Sequence, residues 1–436
     1  MLMGRMLMGT YRQPAPDQSP ASGWLRPRGS NQSGMSQYNE RVVLQAVRLN
    51  GGLPKAELAR VTRLSTQTVS LIINRLLAQG LVSKGQPQRG KVGQPSVPIM
   101  IAPDGAFFIG VKIGRRSVEL LLIDFAGAVR ARRSAGYRYP EPDSLFVQIG
   151  AELASLIATL GPRQAERLAG IGLAAPLGLG GWQALLGGTA RQAARWEQID
   201  LRAEVQAMTH LPVAFAKDTM AACMAELVAG RGRSIQSFLY IFVGTFVGGG
   251  LVLGSSVHTG LNGNAGALGS VPLGLADGKA ARPVAPDQLL NTASLFTLEQ
   301  LYLAAGLDDG AAYDERALQA PWLVHTEAWL EDAARALALA VSSANCVLDL
   351  DQVVLDSSAH PALLARLLDA SAGALDCYSW EGVRRPTLLK GDVGPDARAI
   401  GAALLPLHAH FAPDRALFLK LIDGAHEPGS FGCVPR

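Results

Sequence analysis

Three groups of residues in this 436-residue chain have the types and spacing for chemistry. The first is Lys217-Asp218, ahead of Thr219-Met220-Ala221-Ala222. A carboxylate there can take a proton from an alcohol, hold a ligand hydroxyl, or simply cap a helix. Lys217 either pairs with Asp218 and lowers its basicity, or meets an anionic ligand such as a sugar phosphate or sugar acid. The second group is Val243-Gly244-Thr245-Phe246-Val247-Gly248-Gly249-Gly250. It suits either a tight hairpin between core strands or a loop whose backbone N–H groups cradle phosphates. The third is Val111–Asp124, two apolar strands joined at Gly114. Such a hairpin can embrace a nucleotide when an acid organises metal and a small hydroxyl meets phosphate, yet Lys112 and Arg116 stand in those places.

A fourth group lies near the N-terminus and suits reading rather than catalysis. Ser65 is a good N-cap for a helix running to about Gln79, with Gly80 as its stop. Val69, Ile72, Ile73, Leu76 and Leu77 fall at i, i+3, i+4, i+7 and i+8, so one face is buried. Thr66, Gln67, Ser70, Asn74 and Arg75 are left facing outward, and Thr68 sits in the first turn. Short polar side chains near a helix N-terminus suit base edges in a major groove. Helices from Asn39 to the Asn50-Gly51-Gly52 stop and from Lys55 to Arg60 precede this one. Two strands follow, Leu81–Lys84 and Ser96–Ile101, joined by the basic, Gly-rich loop Gln88–Pro95. Lys84, Arg89, Lys91 and Gln94 there suit a wing lying along a phosphate backbone or entering a minor groove.

Charge supports that division. Residues 1–100 hold 13 Lys/Arg against three acids, a net of +10, and the remainder carries −6 of the overall +4. A basic head on an acidic body suggests a nucleic-acid-binding head. Residues 1–36 are rich in Pro, Gly, Ser and Gln and read as a disordered extension. The four cysteines form no C-x-x-C pair, and the seven histidines have no metal spacing. No apolar run reaches the roughly 20 residues needed to span a bilayer. The expectation is a cytoplasmic protein in a reducing compartment, with no membrane partner, metal or cofactor.

From residue 106 strands and helices alternate. Strands are predicted at 106–113, 117–124, 127–136, 169–174, 212–216, 237–243, 249–254 and 352–356. Helices are predicted at 143–160, 218–230, 325–347, 360–370 and 395–409. This β-β-β-α-β-α layout, given twice, suggests two α/β lobes around a cleft.

In their order, the motifs resemble the ROK family (repressors, open reading frames and sugar kinases), specifically its winged-helix transcriptional regulators. The likeness covers about residues 38–412. It rests on Lys55-Ala56-Glu57-Leu58-Ala59, Leu64-Ser65, Thr68-Val69-Ser70 and Gly90–Pro95 in the head. In the body it rests on Gly170–Pro176, Lys217–Ala222, Val243–Gly250, Gly263–Ser270 and Ile400-Gly401-Ala402-Ala403. The resemblance implies a winged helix-turn-helix followed by a two-lobed, actin-like (ribonuclease-H-like) sugar-kinase fold. The implied layout is an extension (1–36), a DNA-binding domain (37–102), a sensing and oligomerising body (103–412, with lobes near 103–220 and 221–395 and the last helix packed back on the first), and a tail (413–436).

Family kinases use an Asp to deprotonate the sugar, and Asp218 matches it as a vestigial base. Gly244, Thr245, Asn264, Ser270, Lys217 and Asp218 are the implied ligand contacts. The departures are Lys217 for the usual Asn, Ala267 for a sugar-binding Glu, and Ser270 for a sugar- and zinc-binding His. The segment Asp287–Ser294 has no cysteine for the zinc loop, and a later Gly-Gly turn reads Asp356-Ser357-Ser358-Ala359. Asp124 and Gly127 remain in the first hairpin's return strand. Trp182 sits where a loop stacks on a sugar ring or merely anchors itself. The expected function is a repressor of carbohydrate genes that binds a double-stranded operator as a homodimer or homotetramer and senses a sugar. The alternatives are an active ATP-dependent sugar kinase and a ligand-independent dimer scaffold.

Overall fold

The computed structural model describes residues 32–87, 96–180, 188–276 and 285–413. Residues 1–31, the wing tip with Arg89, Lys91 and Gln94, the loop with Trp182, and the tail from 414 lie outside the described residues. Contacts divide the chain into two compact units, residues up to Ile101 with those from His410 onward, and Ala102–Ala409.

The head contains α1 (Gln32–Asn50), α2 (Lys55–Thr62), α3 (Thr66–Gln79) and the antiparallel pair β1 (Val82–Lys84) and β2 (Ile99–Ile101). The first helix starts at Gln32, earlier than the apolar stripe from Asn39 predicts. Its polar first turns are held from outside, by Arg75 Nη1 donating to Ser36 Oγ and Glu40 Oε2. In α3, Val69, Ile72, Ile73 and Leu76 are buried, as the i, i+3, i+4, i+7 spacing requires. Leu77 is only half-buried, because the i+8 position drifts off the narrow stripe of a short helix.

The body holds two five-stranded sheets of one topology. The first has β3 (Phe107–Ile113), β4 (Ser117–Asp124), β5 (Val129–Gly136), β6 (Leu168–Ala175) and β7 (Val213–Lys217) in the order β5-β4-β3-β6-β7. The second has β8 (Phe238–Val243), β9 (Val247–Leu253), β10 (Ser256–Val257), β11 (Gln352–Ser357) and β12 (Thr387–Lys390) in the order β10-β9-β8-β11-β12. Each sheet is thus an antiparallel meander extended by two parallel strands, the layout that the repeated strand and helix pattern predicts. Strand β12 escapes the sequence pattern, being a short strand just after Pro386 with exposed ends and a half-buried Leu388-Leu389 between them.

The principal helices are α4 (Pro142–Ala158), α5 (Asp218–Ala229), α6 (Leu295–Ala304), α7 (Leu323–Leu348), α8 (Pro361–Ala374) and α9 (Ala397–Phe411). Strand β3 is buried along its whole length, as a central strand covered on both faces must be. Edge strand β5 alternates exposed residues, and its Arg130, Arg132 and Arg133 discourage pairing with another chain. Helix α9 lies so close to the first sheet that a Cβ on Gly172 would sit 1.8 Å from the Ala402 carbonyl oxygen. On its other side a Cβ on Gly401 would meet the Ala221 carbonyl at 1.7 Å. Only glycine permits these approaches, and they wedge α9 between α5 and the sheet.

Candidate functional site

In the head, Ser65 has extended φ/ψ and its hydroxyl accepts the Thr68 N–H at 3.1 Å. The Thr68 hydroxyl in turn lies 2.8 Å from Ser65 Oγ. Ser65 and Thr68 therefore build the cap, while Thr66 and Gln67 stand exposed beside it. Further along α3, Ser70 Oγ and Asn74 Oδ1 accept from Lys55 Nζ at 3.1 and 3.2 Å. Arg75 pairs with Glu40 at 2.9 Å. Three of the outward residues thus have partners in the head, and Lys55, overlooked in the sequence reading, organises two of them. Leu71 is also on this face, four residues after Gln67, and is 63% exposed. Lys84 is exposed on β1.

In the body, Lys112 and Glu119 are opposed partners in the β3–β4 register. The Lys112 ammonium is buried and donates to Glu119 Oε1 at 2.9 Å and to Ser117 Oγ at 2.8 Å. Burial pushes this amine down to about 8, with Arg398 adding to the fall and Glu119 opposing it. Burial works to raise the Glu119 carboxyl, but the Lys112 charge and hydrogen bond outweigh it and hold that carboxyl below its ordinary value.

At the turn, both arginines reach the second lobe. Arg115 places its guanidinium carbon 4.9 Å from the Phe246 ring centre. Arg116 Nη2 meets Glu299 Oε2 on α6 at 2.9 Å. Burial raises the Glu299 carboxyl, with Tyr313 and Arg116 opposing the rise. Its Oε1 accepts from the Tyr313 hydroxyl at 2.7 Å, and that hydroxyl lies 3.2 Å from Thr245 Oγ1. A polar chain therefore runs from the first hairpin to the glycine-rich hairpin.

The glycine-rich run makes backbone contacts of its own. The Gly244 and Thr245 carbonyls accept the Leu295 and Phe296 N–H groups, so the turn caps α6. A Cβ on Gly244 would press within 3.2 Å of the Phe242 ring. Nearby, Arg398 on α9 donates to Ser358 Oγ at 3.2 Å and lies 4.7 Å from the Phe242 ring centre. Its Nη1 is 3.9 Å from Asp218 Oδ2.

Asp218 is the first residue of α5, after the N-cap position Lys217, and its Oδ1 accepts the neighbouring Thr219 N–H at 2.9 Å. The hydrogen bond of Lys217 goes to Asn264 Oδ1 at 2.8 Å, so two of the candidate ligand contacts meet each other. Burial lowers the Lys217 amine, and Asp218 opposes that fall. Ser270 is exposed at the end of the one-turn helix Leu268–Ser270.

Arg398, Glu299 and Tyr313 carry no local signal, since they meet Asp218, Arg116 and Thr245, each from a distant segment of the chain. Mg²⁺-dependent phosphoryl transfer makes a definite demand on such a site. That chemistry needs metal-bound phosphates beside the acceptor, and here the hairpin offers an ammonium and two guanidinium groups. A structural zinc fits no better at Ala267, Ser270 and the cysteine-free 287–294 segment. Among the described residues, no three His, Cys, Asp or Glu gather as a metal site.

The fold and site together define a two-lobed, sugar-kinase-like body preceded by a winged-helix head. The chain belongs to the ROK family, whose profile matches residues 108–408, and a MarR family profile matches residues 37–91. The xylose repressor of Caldicellulosiruptor bescii is 23% identical over 249 residues, 57% of this chain and 61% of that protein. The xylose repressor of Bacillus subtilis is 22% identical over 246 residues, 56% of this chain and 62% of that protein. The chain thus spans about six-tenths of the length of these curated relatives. A solved ROK family transcriptional regulator, a homolog of the E. coli MLC protein, superposes with a TM-score of 0.63 at 18% identity, over 87% of this chain and 98% of that one. A ROK family glucokinase from Streptomyces griseus, in complex with glucose and AMPPNP, gives 0.54 at 18%, over 69% and 99%. These likenesses show the fold.

Proposed function

We propose that the chain is a DNA-binding transcriptional regulator, a repressor of carbohydrate-related genes, whose kinase-like body senses a sugar and has given up phosphoryl transfer. The observation that carries this reading is the Arg116–Glu299 pair. The hairpin that would otherwise serve a nucleotide is spent on joining the lobes of a body that follows a winged-helix head. The xylose repressors among the relatives agree with this assignment. In this reading α3 enters the major groove through Thr66 and Gln67. Lys55 holds Ser70 and Asn74 in place, and Lys84 with the wing follows the phosphates. Paired half-sites call for at least a dimer. A sugar that binds one lobe arrangement better than another shifts the DNA affinity by that difference.

Selection of duplexes from random DNA by the purified full chain tests the head, and recovery of one consensus is expected. Recovery of no consensus contradicts the assignment. The kinase reading is tested by incubating the protein with ATP, Mg²⁺ and a monosaccharide panel. Sugar phosphate formed by the parent and lost in Asp218→Asn overturns the non-enzymatic assignment.

A further inference from the structure

Helix α3 divides its outward side chains into those with partners in the head and those without. Ser65 and Thr68 build the cap, Ser70 and Asn74 accept from Lys55, and Arg75 is held by Glu40. Over the first two turns Thr66, Gln67 and Leu71 remain, all three exposed. Leu71 is the unexpected member. At 63% exposed it is the most exposed large apolar side chain among the described residues of the head.

A lone exposed leucine means little by itself, but this one has a particular setting. It stands one turn after Gln67, and side chains at i and i+4 on a helix are neighbours, with Cβ atoms about 5–6 Å apart. Base pairs stack about 3.4 Å apart, so Gln67 and Leu71 together span one or two base steps. The surroundings suit a polyanion. Helix α3 has no acid, and the two carboxylates of the described head, Glu40 and Glu57, are paired with Arg75 and Arg60. Residues 1–100 hold 13 Lys/Arg against three acids. An apolar side chain on a helix that faces a polyanion needs an apolar group within that polyanion. The major groove of unmodified DNA offers one, the 5-methyl group of thymine.

We propose that Leu71 is a specificity-determining residue that reads a thymine through its 5-methyl group, beside the base pair that Gln67 contacts. The proposal rests on the reading that α3 enters the major groove, and it names one of the bases recognised there. Leu71 discriminates by burial alone. A cytosine, guanine or adenine at that position leaves its side chain against a polar base edge.

The test uses the full chain and the duplex recovered by selection from random DNA, with each thymine replaced in turn by deoxyuracil, which lacks only the 5-methyl group. Dissociation constants are measured by fluorescence anisotropy at one salt concentration. One thymine in each half-site is expected to show a weakening of about fourfold, the worth of one buried methyl group. Leu71→Ala, its folding checked by thermal melting, should bind the thymine and deoxyuracil duplexes equally. Val61→Ala, which trims an exposed apolar side chain on α2, should keep the parent's difference. A consensus in which no deoxyuracil weakens the parent overturns the proposal. A difference that survives in Leu71→Ala, or is lost as fully in Val61→Ala, also overturns it. These results leave the DNA-binding reading standing, whereas recovery of no consensus overturns that reading and the proposal together.

Discussion

Removing Arg116 tests whether the first hairpin serves as a tie between lobes. The Glu299 side chain is 0% exposed, and Arg116 is 35% exposed. Arg116→Ala leaves the carboxylate with the Tyr313 hydroxyl as its remaining donor. Breaking a buried pair costs about 3–5 kcal/mol, and water entering where Arg116 stood lowers this to roughly 2–3 kcal/mol. At about 2–3 °C per kcal/mol for a body of this size, the Tm falls by roughly 4–9 °C.

The deficit depends on pH in a definite direction. Burial already holds the Glu299 carboxyl above its ordinary 4.5, and Arg116 opposes that rise, so its loss lifts the value further. An acid with a raised native pKa contributes its stability below the unfolded value and loses it as pH rises through the native one. The Arg116→Ala deficit is therefore full at pH 8 and shrinks toward pH 5, where the carboxyl takes up a proton. Arg116→Met combined with Glu299→Leu removes both charges and should recover most of the loss. Denaturant unfolding at the two pH values measures each effect. A variant within about 0.5 kcal/mol of the parent at pH 8 refutes the reasoning, and so does an equal deficit at both pH values.

Other outcomes follow from the same contacts. Ser65→Ala removes the cap of α3 and should cost about 1 kcal/mol in head stability, measured by unfolding. Gln67→Ala should relax sequence preference in gel-shift series, whereas Lys84→Gln should weaken all duplexes alike and flatten the salt dependence. Asp356 is buried, and burial lifts its carboxyl to about 6 against the backbone N–H groups of Ser357 and Gly394. Its contribution to stability is full below 3.8 and lost as pH rises through about 6, so Asp356→Asn should flatten the stability profile between those values.

The sequence makes the periodic parts of the fold legible. The α3 stripe, its Ser65 cap and the repeated strand order follow from local rules, because each depends on residues a few positions apart. Where residues from distant segments meet, local rules fall short. Helix α1 begins before its apolar stripe, and there Arg75, far along the chain, bonds to Ser36 and Glu40. The exchange of an acid and a hydroxyl for Lys112 and Arg116 flags the first hairpin as altered. It does not reveal that Arg116 reaches Glu299, that Thr245 joins Tyr313, or that Lys217 meets Asn264. Arg398 enters the cleft only because Gly172 and Gly401 let α9 wedge against the first sheet.

The central claim is that one chain couples a DNA-reading head to a sugar-sensing body. Fluorescence anisotropy of the selected duplex, titrated with the full chain with and without each saturating sugar, tests it most directly. A fold-change in Kd of roughly five or more with at least one sugar is predicted, the range of ordinary coupling energies. Identical Kd values with every sugar in the panel contradict the account.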